Sequence, residues 1–155
     1  MATTKKKTAA RPDAVVQGLN CLLADSYVLF LKTQNYHWNV KGPYFNTLHT
    51  MFEGQYQDLF LAIDSVAERL RALDVPAPGS FAAFAKLTDI KEETGSCTAV
   101  QMIKNLVKDH ETIIKTAQAL VDAADDANDD ATEDLAIERL QVHQKFHWML
   151  KAHLE

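Results

Sequence analysis

Only nine of the 155 residues are glycine or proline, against 21 alanines, a balance that excludes a turn-rich β-sandwich and favours long helices. Cysteine is nearly absent. Cys21 and Cys97 are too few for a disulfide framework and lack zinc-ligand spacing, so both read as buried thiols of a reducing compartment. No uninterrupted apolar run approaches the roughly 18 residues of a membrane span; Tyr27–Leu31 is among the longest. Nor does an apolar stretch follow Lys5–Lys7, where Thr8, Arg11, Pro12 and Asp13 stand in place of a signal-peptide core. A glycine-rich phosphate loop and internal repeats are missing too. With an apolar fraction of 47%, the chain is no disordered polymer but one domain able to bury a full core, and its expected location is the cytoplasm.

Charge is unevenly divided. Residues 1–11 hold Lys5, Lys6, Lys7 and Arg11 with no acid, a tail of +4. Residues 12–155 hold twelve Lys and Arg against 21 Asp and Glu, a body of −9. The tail and the body are treated as separate units, a flexible arm and a folded domain.

The body reads as four helices. Pro12-Asp13 suits a helix start, and Val16, Leu19, Leu23 and Phe30 form a stripe to Val40 that Ser26, Thr33 and His37 complete. Lys41-Gly42-Pro43 stops it. A second helix, about Tyr44 to Leu73, carries Phe45, Leu48, Phe52, Leu59, Ile63, Val66 and Leu70, with a gap around Tyr56. Prolines 76 and 78 break the chain, and Phe81–Leu87 predicts a short helix inside a long connection. The third helix spans roughly Thr98–Ala124, with Val100, Ile103, Leu106, Val107, Ile113, Ile114 and Leu120 inward. After an acidic connection, Asp125–Asp130, the fourth runs to the end. Four helices with one long crossover, carrying a short extra helix, predict an all-α, ferritin-like bundle.

On the second helix His49 and Glu53 are one turn apart, as are Asp64 and Glu68. Glu53 and Asp64 lie about 16 Å apart along a helix rising ~1.5 Å per residue, too far to share an ion whose ligand bonds are about 2 Å long. Two copies of this helix crossing antiparallel on a twofold axis resolve the difficulty. One axis near Asp58–Leu59 brings His49 of one chain to Glu68 of the other, and Glu53 to Asp64. His37, late on the first helix, supplies a further nitrogen, and such mixed imidazole and carboxylate ligands suit iron. The alternative is that these are solvated positions on an exposed face. No Glu-x-x-His occurs, which counts against a di-iron centre inside one bundle.

The block Asn35-Tyr36-His37-Trp38-Asn39-Val40-Lys41-Gly42, followed by Phe45, Leu48-His49, Phe52-Glu53, Asp64 and Ala67-Glu68-Arg69, closely resembles the Dps family, the DNA-binding proteins from starved cells or mini-ferritins. The resemblance spans nearly the whole chain, including Trp148-Met149-Leu150. It implies a shell of twelve subunits built from twofold dimers. It also implies two-iron ferroxidase sites shared across the dimer, with His37, His49 and Glu53 from one subunit and Asp64 and Glu68 from its partner. Glu53 departs from the commoner Asp, and its longer arm changes reach. The implied activity is oxidation of Fe(II), typically by hydrogen peroxide, with ferric mineral stored in the cavity and DNA spared oxidative damage. Trp38, beside His37, matches a family tryptophan that could quench stray oxidising equivalents; on sequence alone it reads rather as a buried structural indole.

Between Asp122 and Asp134 stand seven acids and no base. They read as a solvated connection with carboxylates at a helix N-terminus; the resemblance implies instead that Asp125, Asp130 and Asp134 line threefold pores that draw Fe(II) inward. His143 and His147, one turn apart, have no acid one turn away on either side and read as core or surface histidines, like His110 and His153. Lys5, Lys6, Lys7 and Arg11 admit two readings, an ordinary terminus or an arm that binds DNA non-specifically. The second reading would make the protein chiefly a nucleoid component.

Overall fold

A computed structural model describes residues 12–155. The basic tail, and with it Lys5, Lys6, Lys7 and Arg11, lies outside the described residues. Five helices follow in order: α1 (Pro12–Asn39), α2 (Phe45–Ala72), α3 (Phe81–Leu87), α4 (Ala99–Ala127) and α5 (Asp130–Lys151), with no strand among the described residues. α1 and α2 pack as one antiparallel pair and α4 and α5 as another, α1 lying against α4 and the long crossover carrying α3 against α1. Leu19, Leu23, Phe52, Leu59, Leu106, Ile113 and Leu120 are fully buried at the centre.

Local chemistry sets the boundaries. Thr98 and Gln101 close a reciprocal capping box at the start of α4. Ser80 caps α3 through the Ala83 N–H, and Asp129 caps α5 through the Thr132 N–H. α4 runs three residues further than the periodicity predicts, to Ala127, so Asp125 and Asp126 are helical rather than part of a connection. Asn128, left-handed at φ 56°, ends it, and the Asp129 N–H returns to the Ala124 carbonyl. Gly18 permits the close approach of α1 to α4, for a Cβ there would lie 2.9 Å from Leu120 Cδ1.

Two expected core positions face outward. Val100 stands in the first turn of α4, beyond the bundle, and Phe45 opens α2 where its ring meets His49 instead of the core. The gap in the α2 stripe is filled by Gln55, which is buried. Cys21 and Cys97 are only half-buried, not core thiols. An 18-residue stretch within Asp13–Asn39 is on average apolar enough to cross a membrane although no uninterrupted apolar run is that long. Asp25 and Lys32 interrupt it, and both are buried with partners inside the bundle, as in a core helix.

Those interruptions fasten the crossover to α1. Asp25 accepts from the Thr88 and Thr116 hydroxyls, each at 2.7 Å, and from the Asp89 N–H at 3.0 Å. Burial raises its pKa although these donors favour the carboxylate. Two turns on, Lys32 pairs with Asp109 at 2.7 Å and donates to the Lys91 carbonyl at 2.9 Å. One turn beyond, Tyr36 donates to Glu93 at 2.9 Å.

Candidate metal centre

The short link between α1 and α2 brings the last turn of one helix against the first turn of the next. His37 and His49 stack there, ring centroids 3.7 Å apart and planes 15° from parallel. His37 Nδ1 lies 2.8 Å from the His49 carbonyl oxygen, and His49 Nδ1 lies 2.7 Å from that of His37. A carbonyl only accepts, so both Nδ1 atoms carry hydrogen, and the neutral form of each ring has its lone pair on Nε2. That is the neutral tautomer a metal requires. The last carbonyls of a helix lack intrahelical donors, and His49 supplies one for α1.

Aromatic packing holds the pair. Phe45 stacks on His49 at 4.9 Å and 26°, and Tyr56 sets its edge to His37 at 5.2 Å and 75°. Neither contact follows from the sequence pattern, in which the gap in the α2 stripe around Tyr56 is the one local sign. His37 is 7% exposed, while His49 and Glu53, one turn along α2, are half-buried. Gln57 reaches Glu53 at 3.5 Å.

Asp64 and Glu68 are exposed further along α2, on the face where Phe60 and Leu61 are 64% and 68% exposed. Within one chain they do not join the histidines, and among the described residues no group of three His, Cys, Asp or Glu side chains is placed to hold an ion. Trp38 is 60% exposed, which overturns the buried structural reading of its indole.

Of the acidic set, Asp125 lies in the last turn of α4, Asp130 opens α5 and Asp134 follows one turn on; all three are exposed. Asp129 instead turns inward to Arg69 at 2.8 Å and to the Thr132 hydroxyl at 2.5 Å. Burial would raise its pKa, but the Thr132 donors and the Arg69 guanidinium outweigh that and hold it below the usual carboxylate range.

His143 and His147 do not share a site. His143 is fully buried and meets His110, also fully buried, with 3.1 Å between Nδ1 atoms. His147 turns to Glu111 at 3.3 Å. Arg139, paired with Asp58 at 2.6 Å, also approaches His143 Nε2 at 3.5 Å. An arginine only donates, so His143 carries its hydrogen on Nδ1 and gives it to His110. Burial drives both imidazoles to the neutral form, with His110 pushed down to about 3 and His143 well below its ordinary value.

The ferritin-like domain family matches residues 16–155. An uncharacterized low temperature-induced protein of Nostoc sp. is 39% identical over 96% of this chain and 84% of its own. A DNA protection during starvation protein of Brevibacillus brevis is 37% identical, covering 88% of this chain and 92% of its own. The crystal structure of a DPS protein from Vibrio cholerae O1, described as a member of a broad superfamily of ferritin-like diiron-carboxylate proteins, superposes with a TM-score of 0.88 at 32% identity, over 100% of this chain and 98% of that one.

Proposed function

Since the chain belongs to the Dps family of ferritin-like proteins, we propose that it oxidises ferrous iron at two-iron sites shared between two copies and stores the ferric product in a shell of twelve, so protecting DNA. The observation that carries this reading is the reciprocal bonding of His37 and His49, which engages both Nδ1 atoms and turns Nε2 of each neutral ring into the available metal-binding nitrogen, with Glu53 one turn along α2 from His49. Iron is here the substrate. Imidazole nitrogens and carboxylate oxygens accept both its ferrous and ferric states.

The other carboxylates come from the partner. With α2 crossing its copy antiparallel about Asp58–Leu59, Asp64 and Glu68 reach the partner's histidine end, and the exposed Phe60 and Leu61 cover the copy's Gln57 and Tyr56. The apolar centre supplies association energy, and the charged ends become the sites. Hydrogen peroxide takes one electron from each of two ferrous ions and leaves no hydroxyl radical. Both reagents of radical damage are thereby removed together. Asp125, Asp130 and Asp134 line the iron entrance in this reading, and the work is done in the cytoplasm.

Subunit complementation tests the shared site. Shells of Glu53→Gln chains alone, or of Asp64→Asn, Glu68→Gln chains alone, are expected to lose saturable Fe(II) oxidation. Co-assembly of the two puts every lesion into one site of a mixed dimer and leaves the other intact, so activity returns. If mixed shells stay as inactive as the parents, the site is not shared between copies.

A second reading, a nucleoid protein acting through Lys5, Lys6, Lys7 and Arg11, is favoured by a tail of +4 on a body of −9.

A further inference from the structure

The peptide bond that follows Tyr36 leads to His37, but the Tyr36 side chain turns into the bundle, where it is 1% exposed. Its hydroxyl donates to Glu93 Oε2 at 2.9 Å, and the Cys97 thiol donates to that same oxygen at 2.9 Å. Sγ and the phenol oxygen are 4.0 Å apart, and Asn105 Nδ2 donates to the phenol oxygen at 2.9 Å. The other Glu93 oxygen takes the Gly95 N–H at 2.9 Å. Over this knot opens a cavity of about 620 Å³, its wall including Asn35, Asn39, Ser96, Cys97 and Gln101.

As a latch the knot holds the crossover on α1, but its chemistry goes further. Phenol and thiol are among the side chains most readily oxidised by one electron, and here both share one proton acceptor. The Cys97 thiol, the Gly95 N–H and the Tyr36 hydroxyl hold Glu93 down at about 2, so it stands as a carboxylate. The Glu93 contact in turn pushes the Cys97 thiol up, which keeps it protonated and a hydrogen donor.

We propose that Tyr36, Glu93 and Cys97 form a one-electron relay that leads oxidising equivalents away from the iron-binding end of α1 to a thiol open to small-molecule reductants. The inference rests on the ferroxidase reading above. A lone ferrous ion meeting peroxide yields ferric ion, hydroxide and hydroxyl radical. Tyr36 gives that radical an electron, reducing it to hydroxide, while the phenolic proton crosses to Glu93. A neutral phenoxyl results, with no uncompensated charge left in the core. Cys97 then gives an electron to the phenoxyl oxygen. The proton on Glu93 returns to Tyr36, the thiol proton takes its place on Glu93 and later passes to water, and a thiyl radical remains on Cys97. A low-molecular-weight thiol entering the cavity donates a hydrogen atom to that sulfur, restoring Cys97 and leaving its own thiyl, which pairs with a second to form a disulfide.

The assembled protein, given fewer ferrous ions than sites and then peroxide, is freeze-quenched for paramagnetic resonance and treated with a spin trap for mass mapping. Ferric yield is read in the same samples. The native protein is expected to carry the trap on Cys97, and Cys97→Ser to show a phenoxyl signal and trap on Tyr36. Tyr36→Phe is expected to lose the Cys97 adduct at unchanged ferric yield. Glu93→Gln in the Cys97→Ser background is expected to lose the phenoxyl signal; this arm decides the matter should Tyr36→Phe fail to assemble. An undiminished Cys97 adduct in Tyr36→Phe would mean direct attack by diffusing radical and overturn the relay. So would normal ferric yield with no signal at Tyr36 in Cys97→Ser, which leaves the ferroxidase reading standing. Native protein that oxidises no iron saturably sinks both.

Discussion

His37 and His49 each donate an Nδ1 hydrogen to the other's carbonyl oxygen, at 2.8 and 2.7 Å, so the orientation of either ring depends on the backbone of both helices. Each ring is held by a main-chain carbonyl that survives replacement of the other side chain, and what one side chain supplies to the other is the stacking at 3.7 Å.

His49→Ala is expected to weaken anaerobic Fe(II) binding by about 10–100-fold, the range typical for lost metal-site support, because a candidate ligand and the ring stacked on His37 vanish together while the carbonyl of residue 49 still accepts from His37. Phe45→Leu keeps both bonds and removes only the stacked ring, so its loss should be smaller. Calorimetric titration checks the order; equal losses would show that aromatic packing around His49, rather than its ring nitrogen, sets the affinity.

Arg69 ties α2 to the start of α5 through Thr132 at 2.9 Å and Asp129 at 2.8 Å. Arg69→Ala should cost about 2 kcal/mol, as for hydrogen bonds involving a charged group, read by urea unfolding. Amide exchange should quicken first around residues 129–133, where the cap of α5 loses its anchor.

The buried His110–His143 pair predicts acid sensitivity. Unfolded, both imidazoles take protons near pH 6.5; folded, His110 resists until about 3. The unfolded state then binds more protons, so stability falls as pH drops through this window, by up to ~1.4 kcal/mol per pH unit for each imidazole. A His110→Gln, His143→Gln variant should show a flatter dependence of its urea midpoint between pH 6.5 and 4.5. A slope as steep as the native one would assign the acid response elsewhere.

Deleting residues 1–11 should abolish gel-shift binding to duplex DNA and leave iron oxidation unchanged. Four charges per tail predict a slope of log affinity on log salt of about −3.6 for each tail engaged. Binding that survives truncation would move the DNA contact to the body, despite its charge of −9.

Helix order and extent were legible in the chain because burial repeats every three or four residues and glycine, proline or asparagine marks each break. The short helix in the crossover was predicted at Phe81–Leu87 and is found there. α4 outran its prediction because alanines 123, 124 and 127 sustain a helix that acidic neighbours do not stop; the left-handed Asn128 does.

Sequence by itself determined which side chains could bind a metal and how far apart α2 carries them, since helix rise is a local property. Tertiary structure alone decided that His37 and His49 meet with both Nδ1 atoms engaged, because the partners of those atoms are carbonyls of another helix. It alone separated His143 from His147, one turn apart in sequence but bound to His110 and Glu111 respectively. Tyr36, Glu93 and Cys97 likewise meet only when the crossover folds back on α1. Periodicity tells which face of a helix is buried; the atom across that face belongs to a distant segment, and only packing chooses it.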